Sequence, residues 1–448
     1  MAISSRILGP EYTDAQAIHP RSFDLPVNLE IKPKPLHTLY GGAHLFRRDS
    51  LSKIQKIMQR YRDTYLKSPE SIAILLTTIE DMEPGSIDPE LFETLFSLLR
   101  NKIETMPIED YRIDFEDGYG YHSDSDEDAT AISSAQEAAL AFTGNAIPPF
   151  FGFRIKSFSG KDRKRALNTL DLFLGAFLDK SSGKLPDNFL ITLPKIETLE
   201  EIESFNETLS EMEFRAGLKL GTLKTELMIE EPKLLYFRSG VSQLPEVLAV
   251  AGERCQGLHI GIYDYLSSFQ VPSSFQTYTH PLVDDLRIRL LHVTHGTEVA
   301  VVDGVTNILP TEPHRKSDLT ANEMDDNMGS VFYGWNAHYR HVTHSLKFGI
   351  SQGWDIHPAQ TIARYIAVYK HLLETKPSAL DRMKRFSAIA TKPNQSGGVF
   401  DDAATVRGLL VYFKRALSLG IVSTEELEAT GLSKEQLLKN KIEWIDRS

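Results

Sequence analysis

One cysteine, Cys255, stands among 448 residues. No internal disulfide framework can form, so a reducing compartment is the expected setting. Nowhere does the chain approach the ~18 consecutive apolar residues that a membrane-crossing helix needs. Its first 30 residues contain no apolar core followed by a small-residue cleavage site. A secretory signal is therefore not expected, and a cytoplasmic location is. Positive charge is also short: 49 Lys and Arg face 61 Asp and Glu, a formal net charge of −12. Nucleic-acid binding wants a basic footprint, which this balance does not provide. An anionic small molecule would have to be met by a local cluster of cations or by a metal. There is no internal repeat of 20–50 residues. Neither GxGxxG nor a Walker A pattern follows any strand-like run, which weakens a nucleotide-binding fold.

The apolar fraction, 41%, and the charged fraction, 25%, are those of an ordinary soluble protein. The length fits three domains of roughly 150 residues, or one barrel of about 250 residues with an addition. The pattern along the chain decides between them. Short β-type runs occur at 37–45, 111–115, 150–156, 188–195, 225–230, 257–265, 298–304 and 346–357. Between them lie amphipathic stretches such as SLSKIQKIMQRYRDTYL and RKRALNTLDLFLGAFL, with apolar residues at helical spacing. Strands alternating with helices imply a parallel sheet covered by helices. Eight such units predict an α/β fold of the (β/α)8, or TIM barrel, type. The expected division is an irregular lead-in over 1–36, a barrel over 37–376, and a helical C-terminal domain over 377–448. The segment 118–131 (GYGYHSDSDEDATA) reads as an acidic loop, and 304–330 as a long polar loop on one barrel face.

Barrel chemistry sits at the C-terminal ends of the strands. Acidic residues collect there: Asp114, Glu116 and Asp117 after the second run, Glu230 and Glu231 after the fifth, Asp264 after the sixth. Carboxylates converging on one mouth form a hard-oxygen site suited to Mg2+ or Mn2+. Taken singly, each also reads as a strand-end turn former or helix cap. Arg154 ends the third run; it could hold an anionic substrate or steady a developing oxyanion, or form a structural ion pair. Lys195 could be a Schiff-base lysine, but structural pairing is the preferred reading. His338, His341 and His344 share a helical face only in part, so a polar helix surface or loop is preferred to a metal site. His357 admits a catalytic and a structural reading equally. The stretch 122–128 lacks the EF-hand spacing and reads as a solvated loop. Asp401 and Asp402 open a C-terminal helix, where Asp is a normal cap.

The order of these fragments resembles the superfamily of the citrate lyase β-subunit, malate synthase and the HpcH/HpaI aldolases. IDFEDG (113–118) is similar to its acidic strand-end motif and FRIK (153–156) to its catalytic-Arg strand. FLITLPKIE (189–197) resembles its LPK-x-E segment, and TELMIEE (225–231) the strand bearing a metal-binding Glu. GIYDY (261–265) resembles the segment of the second metal ligand, and WDIHPAQ (354–360) the last-strand IHP motif. FDDAATVR (400–407) is similar to the EDAAT segment of malate synthases. The resemblance implies that Glu230 and Asp264 bind Mg2+, and that Glu116 and Asp117 hold metal-bound water or orient the ligands. It further implies that Arg154 stabilises enolate and carbonyl oxygens, and that Asp402 is the base for the methyl group of an acyl-CoA. Asp114, Lys195, Glu231 and His357 would support substrate or ligands. Glu231 stands where relatives have a small or hydroxyl residue, and 304–345 departs from their pattern.

The activity this implies is a Mg2+-dependent, malate-synthase-like Claisen condensation, or its reverse, between a short acyl-CoA and a 2-oxo acid such as glyoxylate. A CoA-independent aldolase or lyase acting on a 2-oxo or hydroxy acid is the first alternative. A non-catalytic barrel that binds metal and carboxylate is the second. The expected partners are small molecules, neither nucleic acid nor membrane, with an oligomer compatible with the sequence.

Overall fold

The computed structural model describes residues 34–80, 88–236, 240–391 and 403–439. Eight strands form the centre: β1 His37–Gly42, β2 Asp110–Asp114, β3 Phe150–Arg154, β4 Phe189–Leu193, β5 Lys224–Ile229, β6 Cys255–Ile260, β7 Ala300–Val302 and β8 Gly353–Asp355. All pair in parallel, in the order β7-β6-β5-β4-β3-β2-β1-β8. A parallel bridge between Asp303 and Gly353 joins the two ends. There the Asp303 N–H donates to the Gln352 carbonyl (3.0 Å) and the Trp354 N–H to the Asp303 carbonyl (3.1 Å). The sheet is thus a closed (β/α)8 barrel, as the alternation of runs predicts. Each of the eight predicted runs contains or overlaps one of these strands.

Helices clothe the barrel. After β1 come α1 Ser50–Tyr65, α2 Pro69–Glu80 and α3 Pro89–Thr105; after β2, α4 Asp124–Thr143; after β3, α5 Arg163–Lys180; after β4, α6 Leu199–Ala216. After β5 comes α7 Leu244–Ala251, after β6 α8 Ile262–Ser268 and α9 Pro281–Thr294, after β7 α10 Ala321–Lys347, and after β8 α11 Pro358–Thr391. The strands are buried on both faces, which is why they read as continuous apolar runs. Outward residues pack on helices: Phe153 stacks on Phe173 of α5 at 4.1 Å. Phe177, one turn on, meets Phe189 at 5.5 Å.

The inward residues fill the barrel in layers drawn from alternate strands. Tyr40, Arg154, Met228 and Val302 come from the odd strands; Arg112, Thr192, His259 and Trp354 from the even ones. The second set is polar and wholly or nearly buried. Arg112 pairs with Asp110 and lies 2.9 Å from Glu226. Thr192 donates to Glu226 at 3.0 Å, and Thr38 to Asp110 at 2.9 Å. Burial pushes Asp110 up to about 6. Glu226 is buried too, yet Arg112 and His259 hold it well below the carboxylate range.

Three expectations about the surroundings change. The acidic stretch is a loop only as far as Ser123. That side chain caps α4 by accepting the Asp126 N–H (3.2 Å), and Asp124, Asp126 and Glu127 complement the positive end of the helix. The stretch 304–330 ends at Thr320, which starts α10 with a capping box to Glu323. On α10, His338 is buried rather than a surface residue. Its Nδ1 and that of His341 both meet the Thr306 hydroxyl, at 2.8 and 2.9 Å.

No helix ends at position 376. Instead α11 runs 34 residues, through Pro377. Then α12 Ala403–Ser418, α13 Thr424–Glu428 and α14 Lys434–Lys439 follow. Tyr412 of α12 donates to the Leu372 carbonyl of α11 (2.8 Å), and Lys376 pairs with Glu426 of α13 (2.7 Å). Arg415 of α12 donates to the Lys34 carbonyl (2.7 Å) and to Ser351. Those two residues precede β1 and β8, so this end of α12 docks on the N-terminal rim of the barrel, opposite the mouth. Asp401 and Asp402 lie outside the described residues.

Candidate active site

Asp114 closes β2 and is the hinge of the site. Its carboxylate accepts the N–H groups of Glu116 (2.9 Å) and Gly118 (2.8 Å), folding the chain back over the strand end. The turn needs glycine, because a β-carbon on Gly118 would lie 2.6 Å from Asp114 Oδ2. The same carboxylate receives Arg154 of β3 in a two-pronged pair, Nε at 2.7 Å and Nη2 at 2.5 Å. Arg154 therefore has the structural partner its sequence context allowed. One edge remains: Nη1 lies 3.0 Å from Glu116 Oε2 and 3.5 Å from Met228 Sδ. Burial opposes the charge, but Asp114 and Glu116 outweigh it and raise the pKa, so Arg154 is a permanent cation.

Aromatic faces bound this guanidinium, with Tyr40 at 5.0 Å and Trp354 at 5.8 Å from its carbon. The Trp354 indole N–H donates to His259 Nδ1 (2.8 Å). That leaves the proton of a neutral His259 on Nε2, which faces Glu226 at 3.2 Å. Tyr40, Trp354, His259, Glu226 and Arg112 had no place in the sequence reading of the site. Their signal was present: polar residues recur at every second position inside apolar runs, the phase that points into a barrel.

Glu230 follows β5 and is buried. Its Oε1 accepts the backbone N–H of Lys195 at 2.6 Å. Lys195 holds φ at +50°, an uncommon conformation for a residue with a side chain. Its ammonium reaches Glu116 and, at 3.3 Å, Asp117. Burial works against that ammonium, yet the two carboxylates raise its pKa, so it stays charged and paired. The structure thus gives Lys195 the pairing role. Gly261, after β6, leaves room for Glu230: a β-carbon there would lie 2.3 Å from Glu230 Oε2. Asp264 stands in the first turn of α8, close enough for its charge to act on Glu230. Burial, then Asp264 and Glu116, push the Glu230 carboxyl up to about 8. Burial raises Glu116 as well.

Of two further expected participants, Glu231 lies at the edge of the cluster, within reach of the Asp264 charge, and His357 lies apart from it. Glu231 is half-buried; it accepts from Ser268 (3.4 Å), and burial with the nearby Glu197 raises its pKa. His357 accepts the Ala359 N–H (3.2 Å), meets Tyr61 edge-on at 5.8 Å, and is lowered by burial to about 4. It starts α11, and none of its described contacts reaches the acidic cluster.

The donor set at the mouth is all oxygen. Glu230, Asp264 and Glu116 crowd negative charge, and Glu116 is buried with Arg154 against its Oε2. A dication would relieve all three, so the residues fit Mg2+. Among the described residues, however, no group of three or more His, Cys, Asp or Glu is already disposed as a metal cage.

Comparison with known proteins places this geometry. A 163-residue stretch is 26% identical to glyoxysomal malate synthase of Candida tropicalis, covering 33% of this chain. The chain spans only 28% of the length of that relative. Among solved structures, a citrate lyase from Burkholderia xenovorans LB400 matches with a TM-score of 0.53 and 17% identity, over 76% of this chain and 92% of that one. The magnesium/glyoxylate complex of Haloferax volcanii malate synthase matches at a TM-score of 0.43 and 14% identity, over 75% and 87%. At 17% identity the likeness to the citrate lyase is one of fold, and it is the fold that the motif order anticipates. One family model covers nearly all of the sequence, residues 28–443. By that match the chain belongs to the family described as a domain of unknown function, DUF6986, built on a barrel of the kind found in citrate lyase.

Proposed function

We propose that this barrel makes or breaks a carbon–carbon bond next to a small 2-oxo acid in a Mg2+-dependent, malate-synthase-like reaction, with a short acyl-CoA as the enolisable partner. The observation that carries the reading is the meeting of Arg154, fixed by Asp114, with the crowded carboxylates Glu230, Glu116 and Asp264. The motif order and the local identity to a malate synthase support the same reading.

Glu230 and Asp264 would hold the metal. When bound, Mg2+ supplies Lewis acidity toward the carbonyl and carboxylate of the oxo acid. The remaining roles belong to the chain. Removing an α-proton from a thioester is difficult and needs a cation preorganised at the enolate oxygen. Arg154 meets that need, because Asp114 holds it in place before substrate arrives and aromatic faces exclude water around it. Glu116, between Arg154 and Lys195, keeps both cations oriented. In the condensation the enolate carbon attacks the oxo-acid carbonyl. That carbon–carbon bond forms as the carbonyl π pair moves onto oxygen beside Arg154. Hydrolysis of the thioester then releases CoA.

The resemblance assigns proton removal to Asp402. A second reading, in which a CoA-independent aldol cleavage uses a barrel carboxylate as base, rests on the barrel residues alone. Glu116, buried and raised, is the best-suited one. Thiol release from acetyl-CoA, measured against glyoxylate, pyruvate and oxaloacetate with and without Mg2+, tests the first reading. Pyruvate formation from hydroxy acids without CoA tests the second. If calorimetry finds no Mg2+-dependent binding of any oxo acid, both fall.

A further inference from the structure

Two cations meet at the N-terminal rim with only neutral partners. Arg415 donates to the Lys34 carbonyl (2.7 Å) and to the Ser351 hydroxyl. The Lys34 ammonium donates to the Glu298 carbonyl (2.9 Å). Among the described residues no carboxylate lies within ion-pair distance of either. Both residues line one cavity of about 180 Å³, together with the apolar Leu291 and Val299 and the polar Thr294 and Gln352. At ~30 Å³ per liquid water, that is room for roughly six waters, or for a small organic ion.

Two like charges facing one cavity repel each other, and a shared counter-charge would steady both. Burial lowers the pKa of Arg415 against the pull of Glu109, and burial together with Arg415 lowers that of Lys34 against the pull of Glu298. An anion in the cavity would reverse both effects. A bare inorganic ion would use the charges and leave the apolar wall uncovered. A carboxylate with a short hydrocarbon body uses both.

We propose that this cavity is a binding site for a small carboxylate of a few carbons, with its charge on Arg415 and Lys34 and its body against Leu291 and Val299. The site faces away from the mouth that holds Glu230 and Asp264. Arg415 belongs to α12, whereas Lys34 and Ser351 lead into β1 and β8. Ligand there would clamp the C-terminal helices to the barrel.

The test uses the full chain in EDTA, with succinate as probe, read by calorimetry and thermal melting. Saturable binding with a rise in Tm, beyond that of sodium chloride at equal ionic strength, is expected. Arg415→Gln and Lys34→Gln should each weaken it by about tenfold or more, as loss of a charge-assisted contact does. Glu230→Gln at the mouth should leave it unchanged. If Arg415→Gln fails to fold, Lys34→Gln, at the open edge of the cavity, still decides. The proposal is overturned if no saturable binding occurs, as when a carboxylate of the chain itself fills the cavity. It is equally overturned if both rim variants bind normally, if Glu230→Gln abolishes binding, or if inorganic phosphate binds as well as succinate.

Discussion

Gly261 and Glu230 share one space: a β-carbon on the glycine would come within 2.3 Å of the carboxylate oxygen and 2.5 Å of its β-carbon. Glu230 can occupy the mouth only because the residue that follows β6 has no side chain. Gly261→Ala must therefore displace Glu230. The expected cost in stability is about 1–3 kcal/mol, as for overpacking elsewhere. The larger effect should be on Mg2+ binding, measured by calorimetry. Unchanged metal affinity in a folded variant would remove Glu230 from the metal site.

The raised carboxyl of Glu230 gives stability a pH dependence of definite sign. Its folded pKa, about 8, lies above its ordinary value, so the folded state binds the extra proton. The favourable contribution is complete below the unfolded pKa and is lost as pH rises through about 8. Without metal, Tm should fall from about pH 6 to 8.5. Glu230→Gln should flatten that slope. Added Mg2+ should oppose it, with affinity rising over the same interval as the proton is displaced. Thermal melts across pH, with EDTA or Mg2+, check all three.

Arg154→Lys keeps the charge but loses the two-pronged grip of Asp114. Turnover should drop by about 10²–10³-fold, the scale for losing an oxyanion donor. Mg2+ binding should survive, because no proposed ligand changes. A variant with near-native kcat would show that Arg154 only braces the turn after β2.

Asp402→Asn separates the two readings of the chemistry. In the acyl-CoA reading it abolishes thiol release while oxo-acid and Mg2+ binding stay nearly intact. Wild-type turnover in this variant would assign the base to the barrel and favour the CoA-independent aldol reaction. Steady-state rates paired with calorimetry distinguish these outcomes.

Deep in the barrel, Arg112→Met should destabilise by about 3–5 kcal/mol, because Asp110 and Glu226 would lose their shared counter-charge. Adding Asp110→Asn and Glu226→Gln should recover much of the loss. Urea unfolding of the single and triple variants measures it.

The eight strands were legible because parallel strands buried on both faces are continuous apolar runs, and Arg154 and Glu230 were legible because they stand at strand ends; Asp264, read as closing the sixth run, lies in the first turn of α8. Other features depend on the third dimension. Asp124, Asp126 and Glu127 look like loop composition, yet a single cap, Ser123, converts them into the start of α4. His338 looked solvent-facing because its partners Thr306 and Asp355 lie 32 and 17 residues away in the chain. Trp354 stands beside the IHP motif, but only barrel closure brings it over Arg154 and against His259. Lys195 shows the opposite limit: its sequence position was informative, but its contact with Glu230 is made by the backbone N–H and not by the ammonium that the sequence singled out.

At 1.5 Å per residue, the 34 residues of α11 make a rod of about 51 Å. Arg364, in its second turn, grips Asp355 of β8 at 2.8 Å, while Leu372, two turns further on, receives Tyr412. A tilt of the trailing helices is thus transmitted along one lever to the strand that carries Trp354. Position 376, the expected boundary, falls within that helix, so a cut there would divide α11 itself.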